Sequence, residues 1–488
     1  MGVNIDRHKL FPIHKPTLGI HNEIPGTELN PMALVNASNM EVEKGVLAQR
    51  YGYPTYGTNT NLVGTPYLFF PFTTFAGVTT LYCITSNGMY YLNGTAWAAK
   101  EAVTDFITTH RYPSACSIED KILVTSSEKG LYHAGSGKLS GWSGYGYCPR
   151  IILPYKFRLI GFGEYRTGNS YTVPLRIRYS ALGACETITE AYFIDWVDGD
   201  GIEIVGAIPL GPYIAIFKDK SAGLLDWIGG SSIFSLNIQL PTIGLLAQRA
   251  VVNVRGKLFF MSHDNIYSWD GGREAVPIGD PIKDLWLADI ASNEANLDKA
   301  SFAMYVAHKG QVYFFYLVGT AASYVTKYFM YDIKHKSWWR GQLGDAIIAA
   351  NYVYYSGYKA LLGIKTKTPV HFDYSTKQDN GKAITSYITS PDFVISEEEY
   401  IMRKKRYYGF KFDMKGEAAD TVKFEHSVNE GSSYATSSDL TVSDSYDRVK
   451  KDTHFVDRKA RVKLTHSTDD KRWFLRFYGI DYTEREKK

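Results

Sequence analysis

Short runs of apolar and aromatic residues, separated by tight polar turns, recur along the chain. The clearest example spans 255–273, where branched and aromatic residues flank a polar turn at 263–265 and a second turn follows at 270–272. This pattern of run, turn and run is typical of a β-hairpin. We interpret the hairpin as the inner pair of strands of one blade of a β-propeller.

Similar hairpins predict a repeating architecture, and they occur at 81–94, 121–133, 213–227, 311–332 and 360–373. Tyr90 and Tyr132 are 42 residues apart, as are Trp227 and Trp269. A period of about 40–45 residues is typical of four-stranded propeller blades. The longer gap between Tyr132 and Trp227 leaves room for one more blade, with strands at 157–163 and 176–179. We therefore predict an all-β fold with six or seven blades, in which ring closure buries the apolar faces.

Three regions are predicted. Residues 1–61 form an N-terminal arm, because its prolines interrupt helices and central strands, with two short strands hinged at Lys44 and Gly45. Residues 62–383 form the propeller. Residues 384–488 form a C-terminal β-sandwich with strands at 407–414, 421–428, 459–465 and 473–482. One helix is predicted at 280–296, since Asp280 and Pro281 suit a helix start.

Composition agrees with many short strands. Aromatic residues make up 15% of the 488-residue chain and charged residues only 21%, and there are 43 glycines. The net charge of +4 is too small for a free-standing nucleic-acid-binding domain. The four cysteines lie far apart, which predicts buried free thiols and no zinc or redox pair. Neither a signal-peptide core nor a membrane-spanning run is evident, so we expect no integral membrane segment.

Acidic residues were considered as catalytic candidates. Glycoside hydrolysis needs two carboxylates about 5–10 Å apart around the sugar, and Asp195, Asp198, Asp200 and Asp226 are available. Asp198 and Asp200 lie in a glycine-containing turn that resembles part of a calcium loop, but the third carboxylate and the distal glutamate of such a loop are missing. A plain turn is the favoured interpretation, and no catalytic residue is assigned.

Neither a metal nor a cofactor is predicted. His8, His14 and His21 are six and seven residues apart, a spacing that matches no metal-binding pair on one strand or one helical turn. A glycine-rich phosphate loop ending in lysine and serine is also missing from the sequence. We therefore expect a protein that is not an enzyme.

The strongest electrostatic feature is a run of four cations, Arg403, Lys404, Lys405 and Arg406. Such a run can contact DNA phosphates or an acidic partner surface. Three glutamates at 397–399 precede it, which leaves open a locally neutralised strand edge, where charged side chains deter unwanted pairing.

Several segments resemble the tail nozzle or tail hub proteins of short-tailed phages (podoviruses), a group that includes the tail tubular protein B-like and packaged-DNA stabilisation proteins. Residues 39–52 are similar to the opening of that family, in which a V-x-x-G-x-x-x-x-R-x-G stretch leads into the first blade. The stretches 265–271 with 277–282, and Tyr331-Asp332 with 337–339, are also similar to it. The matching motifs are short, but their order extends over nearly the whole chain.

The resemblance implies a structural virion protein, located in the tail and assembled in the host cytoplasm. The family implies a homohexameric ring below the portal-adaptor, or head-to-tail connector, protein. Its central channel would retain packaged double-stranded DNA without sequence specificity and release it during ejection, and tail fibres or spikes would sit on its outer face. Because the matching motifs are structural, no DNA-contacting residue can be carried over from the family.

Two other functions stay open from the sequence. One is a propeller that binds a carbohydrate or protein ligand, such as a receptor. The other is a glycosidase-like enzyme. Particles with an axial pore would favour the ring-forming virion protein. Glycan binding by a monomer would favour the ligand-binding propeller, and sugar hydrolysis would favour the enzyme.

Overall fold

The computed structural model describes residues 9–57, 62–102, 112–126, 130–134, 139–141, 147–166, 172–230, 232–291, 301–318, 324–393, 404–435 and 438–484. Nearly all regular structure in these ranges is β-strand. No helix among the described residues is both long and apolar enough to cross a bilayer.

The chain begins with four short strands that join sheets made by the C-terminal residues. Their bounds are β1 (Lys9–His14), β2 (Asn36–Ser38), β3 (Met40–Glu43) and β4 (Val46–Gln49). The predicted hinge between β3 and β4 is confirmed: the strands pair antiparallel, and Lys44 and Gly45 both have positive φ, at 49° and 77°. Two such residues in a row give the tight turn whose twist suits a hairpin.

Five four-stranded antiparallel sheets follow in chain order, and each is one blade. The first blade contains β5 (Pro66–Thr73), β6 (Thr79–Thr85), β7 (Gly88–Asn93) and β8 (Ala96–Ala102). The second contains β9 (Ser114–Ile118), β10 (Lys121–Ser126), β11 (Gly130–Ala134) and β12 (Leu139–Gly141). The third contains β13 (Tyr147–Tyr155), β14 (Arg158–Arg166), β15 (Thr172–Ala181) and β16 (Ala184–Asp195). The fourth contains β17 (Ile204–Leu210), β18 (Tyr213–Lys218), β19 (Ala222–Trp227) and β20 (Phe234–Leu240), and the fifth β21 (Val251–Val254), β22 (Lys257–Met261), β23 (Ile266–Trp269) and β24 (Val276–Pro277).

The last two blades share one long strand. A six-stranded sheet contains β25 (Phe302–Val306), β26 (Gln311–Tyr316), β27 (Val325–Asp332), β28 (Ser337–Tyr354), β29 (Tyr358–Ile364) and β30 (Pro369–His371). The first part of β28 pairs with β27 and its second part with β29. Strand β28 therefore ends the sixth blade and begins the seventh, and Thr55 bridges to Val370 at the outer edge of the seventh.

The blades close into a ring. The first strands of consecutive blades are neighbours, and the second part of β28 lies beside β5, so that the seventh blade meets the first. The predicted all-β propeller is confirmed, with seven blades. Closure lets aromatic residues pack between blades that could not bury them alone, as where Phe217 of the fourth blade contacts Phe260 and Trp269 of the fifth.

One detail of the prediction was wrong. The hairpin at 255–273 forms β22 and β23, which are the second and third strands of their blade, while β21 is the strand next to the axis. The other predicted hairpins likewise supply second and third strands. The middle strands carry the strongest apolar pattern because both of their faces are covered by adjacent blades.

The predicted helix is partly observed. A 3₁₀ turn (Asp280–Ile282) with Pro281 at its start leads into α1 (Lys283–Ala291), and residues 292–300 lie outside the described residues. Trp286 of α1 packs edge-on against Tyr316 of β26. The helix thus lies against the sixth blade.

A small hairpin follows the propeller, formed by β31 (Gln378–Asp379) and β32 (Lys382–Ala383). The remaining strands are β33 (Ser386–Thr389), β34 (Lys405–Gly416), β35 (Asp420–Ser427), β36 (Ser438–Val442), β37 (Asp447–Asp457), β38 (Arg461–His466) and β39 (Trp473–Glu484). One sheet runs β3-β4-β39-β34-β37, with β1 also on β39, and the other runs β2-β33-β38-β35-β36. Phe410 and Phe412 of the first sheet pack against Phe424 of the second. The predicted arm is therefore part of a sandwich built from both ends of the chain.

Candidate functional site

The propeller has two different faces. Each of the first six blades contains four antiparallel strands, so the chain leaves a blade on the same face at which it entered. The first strands of these blades therefore all run in the same direction. The parallel bridge between Arg249, at the entry to the fifth blade, and Phe302, at the start of the sixth, agrees with this direction. The turns between first and second strands and between third and fourth strands therefore lie on one face. We call it the turn face, and the opposite face carries the connections between blades.

Two consecutive side chains cross the propeller axis. Gln248 and Arg249 precede β21, at the entry to the fifth blade. The Gln248 Nε2 donates to the carbonyl oxygens of Tyr112, before the second blade, and Arg150, in the third, at 3.1 and 3.2 Å. Because these partners lie on other blades, the axis is closed by side chains at this level.

Arg249 completes the closure. Its Nη1 donates to the Tyr67 carbonyl of the first blade at 2.6 Å, and its Nη2 to Asn351 Oδ1 of the seventh at 3.0 Å. The guanidinium also lies 5.0 Å from the centre of the Tyr112 ring. Burial lowers the pKa of Arg249 to about 10, since its contacts are neutral groups. The side chain stays charged at neutral pH but has no carboxylate partner among the described residues.

A cavity of about 400 Å³ opens beyond this closure, toward the turn face. Its walls are residues of the first strands of four blades, including Ile208, Val252, Met304, Tyr305 and Tyr352. Gln248 and Arg249 line its floor. The cavity lining is thus mixed, with apolar and aromatic side chains and polar groups in similar proportion.

A chain of polar contacts connects the cavity wall with the sandwich. Tyr352 Oη lies 2.7 Å from His308 Nδ1, and the other ring nitrogen of His308 contacts the hydroxyl of Tyr374. The Lys309 ammonium lies 4.4 Å from the centre of the Tyr374 ring and 2.8 Å from the carboxylate of Glu41 in β3. Burial, and next the Lys309 charge, lower the pKa of His308, so its ring is neutral at neutral pH.

Large apolar side chains are exposed around the turn face. Phe75 is 84% exposed in the first blade and Phe157 is 81% exposed in the third. Others on this face are Val78, Leu182, Tyr213, Ile228, Val276, Tyr354, Tyr358 and Tyr374. Phe157 has φ 58°, a conformation that bulky residues rarely adopt, and the Phe75 amide donates to Asp120 Oδ1 at 2.9 Å. Phe157 therefore combines high exposure with a backbone conformation that is unfavourable for its side chain.

The predicted basic run is divided by the structure. Arg403 lies outside the described residues. Lys404 is exposed just before β34, Lys405 is only 1% exposed within it, and Arg406 is exposed. Strand β34 lies between β39 and β37, so successive side chains face opposite sides of the sheet. Lys404 and Arg406 are therefore the described members of the run that lie on the surface.

Among the acidic candidates, Asp195 has a structural partner. Asp195 accepts two hydrogen bonds from Arg176, both at 2.7 Å. In the turn at 198–201, the ammonium of the fully buried Lys218 donates to the carbonyl oxygens of Asp198 and Gly199 at 2.8 and 3.4 Å. The ammonium of Lys218 therefore holds the backbone of this turn.

No three His, Cys, Asp or Glu side chains among the described residues are grouped to hold a metal ion. His8 lies outside the described residues, and His14 is in β1. The four cysteines are free, and burial raises the pKa of the Cys83 thiol well above its ordinary value.

Sequence patterns did not reveal Gln248 and Arg249. They follow an apolar segment, 243–247, and their acceptors are mostly backbone carbonyls on blades about 100 or more residues away. The only available signal was a Gln-Arg pair placed directly before a first strand.

Comparisons with known proteins assign this chain to no family. No family model and no curated protein matches the chain. Among solved structures, it is similar to the WD40 β-propeller domain of Doa1, with a TM-score of 0.41 and 10% identity over 66% of this chain and 97% of that one. The N-terminal domain of Nup159 (TM-score 0.37, 9% identity, 66% and 95% coverage) and PorZ, a type-IX secretion surface component of Porphyromonas gingivalis (0.36, 9%, 80% and 46%), are also similar. The seven blades around one axis make this protein a β-propeller.

Proposed function

We propose that this protein is a structural subunit of a short-tailed phage tail, of the nozzle or hub type. In this proposal it forms a homo-oligomeric ring, of six copies by the family resemblance, below the portal-adaptor complex. The ring retains packaged double-stranded DNA, provides the channel for its ejection and carries fibres or spikes on its outer face. The role is architectural and not catalytic.

The observation that carries the proposal is the exposed apolar surface of the turn face. Several large apolar side chains are exposed on this one face, which makes it a candidate interaction surface. Phe75 and Phe157 are each more than 80% exposed at hairpin tips. We assign this face to contacts with another copy of the chain or with a neighbouring virion protein.

The closed axis constrains how such a ring would work. Gln248 and Arg249 cross the centre of the propeller, so DNA cannot pass through a single subunit. The channel must then lie between subunits, on the axis of the ring. A net charge of only +4 per chain suits a channel through which DNA slides, because strong phosphate binding would resist ejection.

The attachment of the sandwich to the propeller supports a rigid building unit. Ion pairs join the two parts, including Arg50 with Asp379 and Lys309 with Glu41. The N-terminal residues reach both parts, through β1 to β4 in the sandwich and Thr55 at the seventh blade. A subunit held in this way transmits load without bending at a linker.

The mass of the purified protein in solution tests the proposal, measured alone and with the neighbouring virion proteins, together with negative-stain images. We expect particles of about six times the 55.0 kDa chain mass with a pore on their axis. A protein that stays a 55.0 kDa monomer under both conditions would contradict a ring-forming role.

A second function, a propeller that binds a carbohydrate or protein ligand, is favoured by the axial cavity. Its size and its combination of apolar, aromatic and polar side chains are features of ligand sites. A glycosidase-like activity has less support, because Asp195 is held by Arg176 and is not free to act as acid or nucleophile.

A further inference from the structure

Arg249 presents an uncompensated positive charge to the axial cavity. Its two hydrogen bonds go to neutral oxygens, those of the Tyr67 backbone and the Asn351 side chain. It forms no ion pair within the described part of the chain, and its remaining N–H groups have no protein acceptor there. Arg249 is half-buried and lines the cavity, so a ligand in the cavity can reach its guanidinium. The cavity floor therefore favours binding of an anion.

Other donors lie beside this guanidinium. Asn351 Oδ1 accepts from the Phe69 amide at 3.1 Å and from Arg249, which fixes the amide orientation and leaves Nδ2 as a donor with no described protein acceptor. The hydroxyl of Tyr305, on the cavity wall, also has no hydrogen-bond partner among the described residues. A ligand that fits must bring several acceptor oxygens in addition to its charge.

We propose that the axial cavity binds a small carboxylate that also carries hydroxyl groups, of the uronic acid class. Its carboxylate would pair with Arg249 and its hydroxyl oxygens would accept from Asn351, while its ring would lie against Tyr305 and Tyr352. A volume of about 400 Å³ accommodates a ligand of this size. One arginine balances one negative charge, which favours a carboxylate over a phosphate group carrying about −1.5 to −2 at pH 7. The proposal is independent of ring assembly, since one chain builds the whole site.

Isothermal titration calorimetry of the full chain with glucuronate tests the proposal, with glucose as the neutral match and inorganic phosphate as the alternative anion. We expect glucuronate to bind with a Kd on the order of 1 mM or tighter and glucose not to bind measurably. Lack of glucuronate binding, equal binding of glucose, or tighter binding of phosphate would each overturn the assignment.

Matched variants locate the binding. Arg249→Gln should weaken glucuronate binding at least ~10-fold, because a hydrogen-bonded charge pair is lost. Arg255→Gln removes an exposed arginine of the same blade and should leave the affinity unchanged. Unchanged binding by Arg249→Gln would refute the site.

Arg249 also supports the closure of the axis, so a second variant guards against misfolding. Ile208→Trp adds bulk to the cavity wall and leaves the guanidinium in place. It should abolish glucuronate binding while the circular dichroism spectrum stays that of the wild type. Binding that survives in a folded Ile208→Trp protein would also refute the site.

Discussion

Arg50 and Asp379 form a buried two-pronged ion pair, in which Nη1 and Nη2 of the arginine donate to the two carboxylate oxygens at 2.7 and 2.5 Å. Arg50 follows β4 of the sandwich, and Asp379 lies in the hairpin that leads out of the propeller. The arginine also donates to the Gln342 carbonyl at 3.0 Å, and the aspartate accepts from the Gly344 amide at 2.9 Å. The pair therefore holds the sandwich against the point where β28 passes between the last two blades.

Asp379→Asn should destabilise the protein by about 3–5 kcal/mol, because it leaves the buried guanidinium without its counter-ion. Urea denaturation followed by tryptophan fluorescence measures this loss. Asp452→Asn breaks an ion pair with Lys450 that is open to solvent and should have little effect. Equal stability of the two variants would show that the Arg50 pair does not hold the junction.

Asp420 provides a pH-dependent contact inside the sandwich. Burial on its own raises the pKa of Asp420, but hydrogen bonds from His466, Thr468 and the Thr421 amide lower it overall below its ordinary value of 3.8. A carboxylate with a lowered pKa stabilises the folded state above pH 3.8, and this contribution disappears as the pH falls through the folded pKa.

Asp420→Asn should therefore cost about 1–3 kcal/mol at pH 7, and the difference from wild type should shrink below about pH 4. Thermal unfolding measured from pH 7 to pH 2 tests this. Asp444→Asn, which changes an exposed carboxylate on a nearby turn, should show no such pH dependence. A constant difference between Asp420→Asn and wild type across the whole range would contradict the assignment.

Lys218 is expected to replace a metal ion in the turn at 198–201. Lys218→Met should destabilise the protein by about 1–3 kcal/mol, since the Asp198 and Gly199 carbonyls lose a charged donor and the Trp196 ring loses the ammonium 4.6 Å from its centre. Calcium should not raise the melting temperature of the wild type. Lys220→Met, at an exposed neighbouring position, serves as the control. A melting temperature that rises with calcium in the wild type would show that this turn is a cation site after all.

The sequence was most informative where local turn chemistry decides the structure. Lys44 with Gly45, and Gly88, mark hairpins because these turns need residues that tolerate positive φ. The strands around such turns were located to within a few residues. Blade number was less certain, since β28 runs from one blade into the next without a turn to mark the change.

Long-range partners could not be predicted in the same way. Pro12 in β1 pairs opposite Gly479 of β39, which lies at the other end of the chain, and local pattern does not show this pairing. Lys405 alternates with its neighbours on a central strand, so its burial depends on which strands flank β34. Arg249 depends on acceptors from two other blades, and only the closed ring brings these together.

Phe157 tests the proposed interface on the turn face. With φ 58° and 81% exposure, this side chain is held in an unfavourable conformation and gains little burial in the isolated subunit. The left-handed conformation costs about 1–2 kcal/mol for a residue other than glycine. Glycine avoids this cost but loses more backbone entropy on folding, which offsets part of the gain. Phe157→Gly should therefore stabilise the subunit by about 0.5–1 kcal/mol. The same change should weaken assembly at least ~10-fold, as measured by sedimentation velocity over a range of concentrations.

Ile202→Ser changes an equally exposed residue on the opposite face and should leave assembly unchanged. If Phe157→Gly assembles like the wild type while Ile202→Ser does not, the interface lies on the opposite face of the propeller.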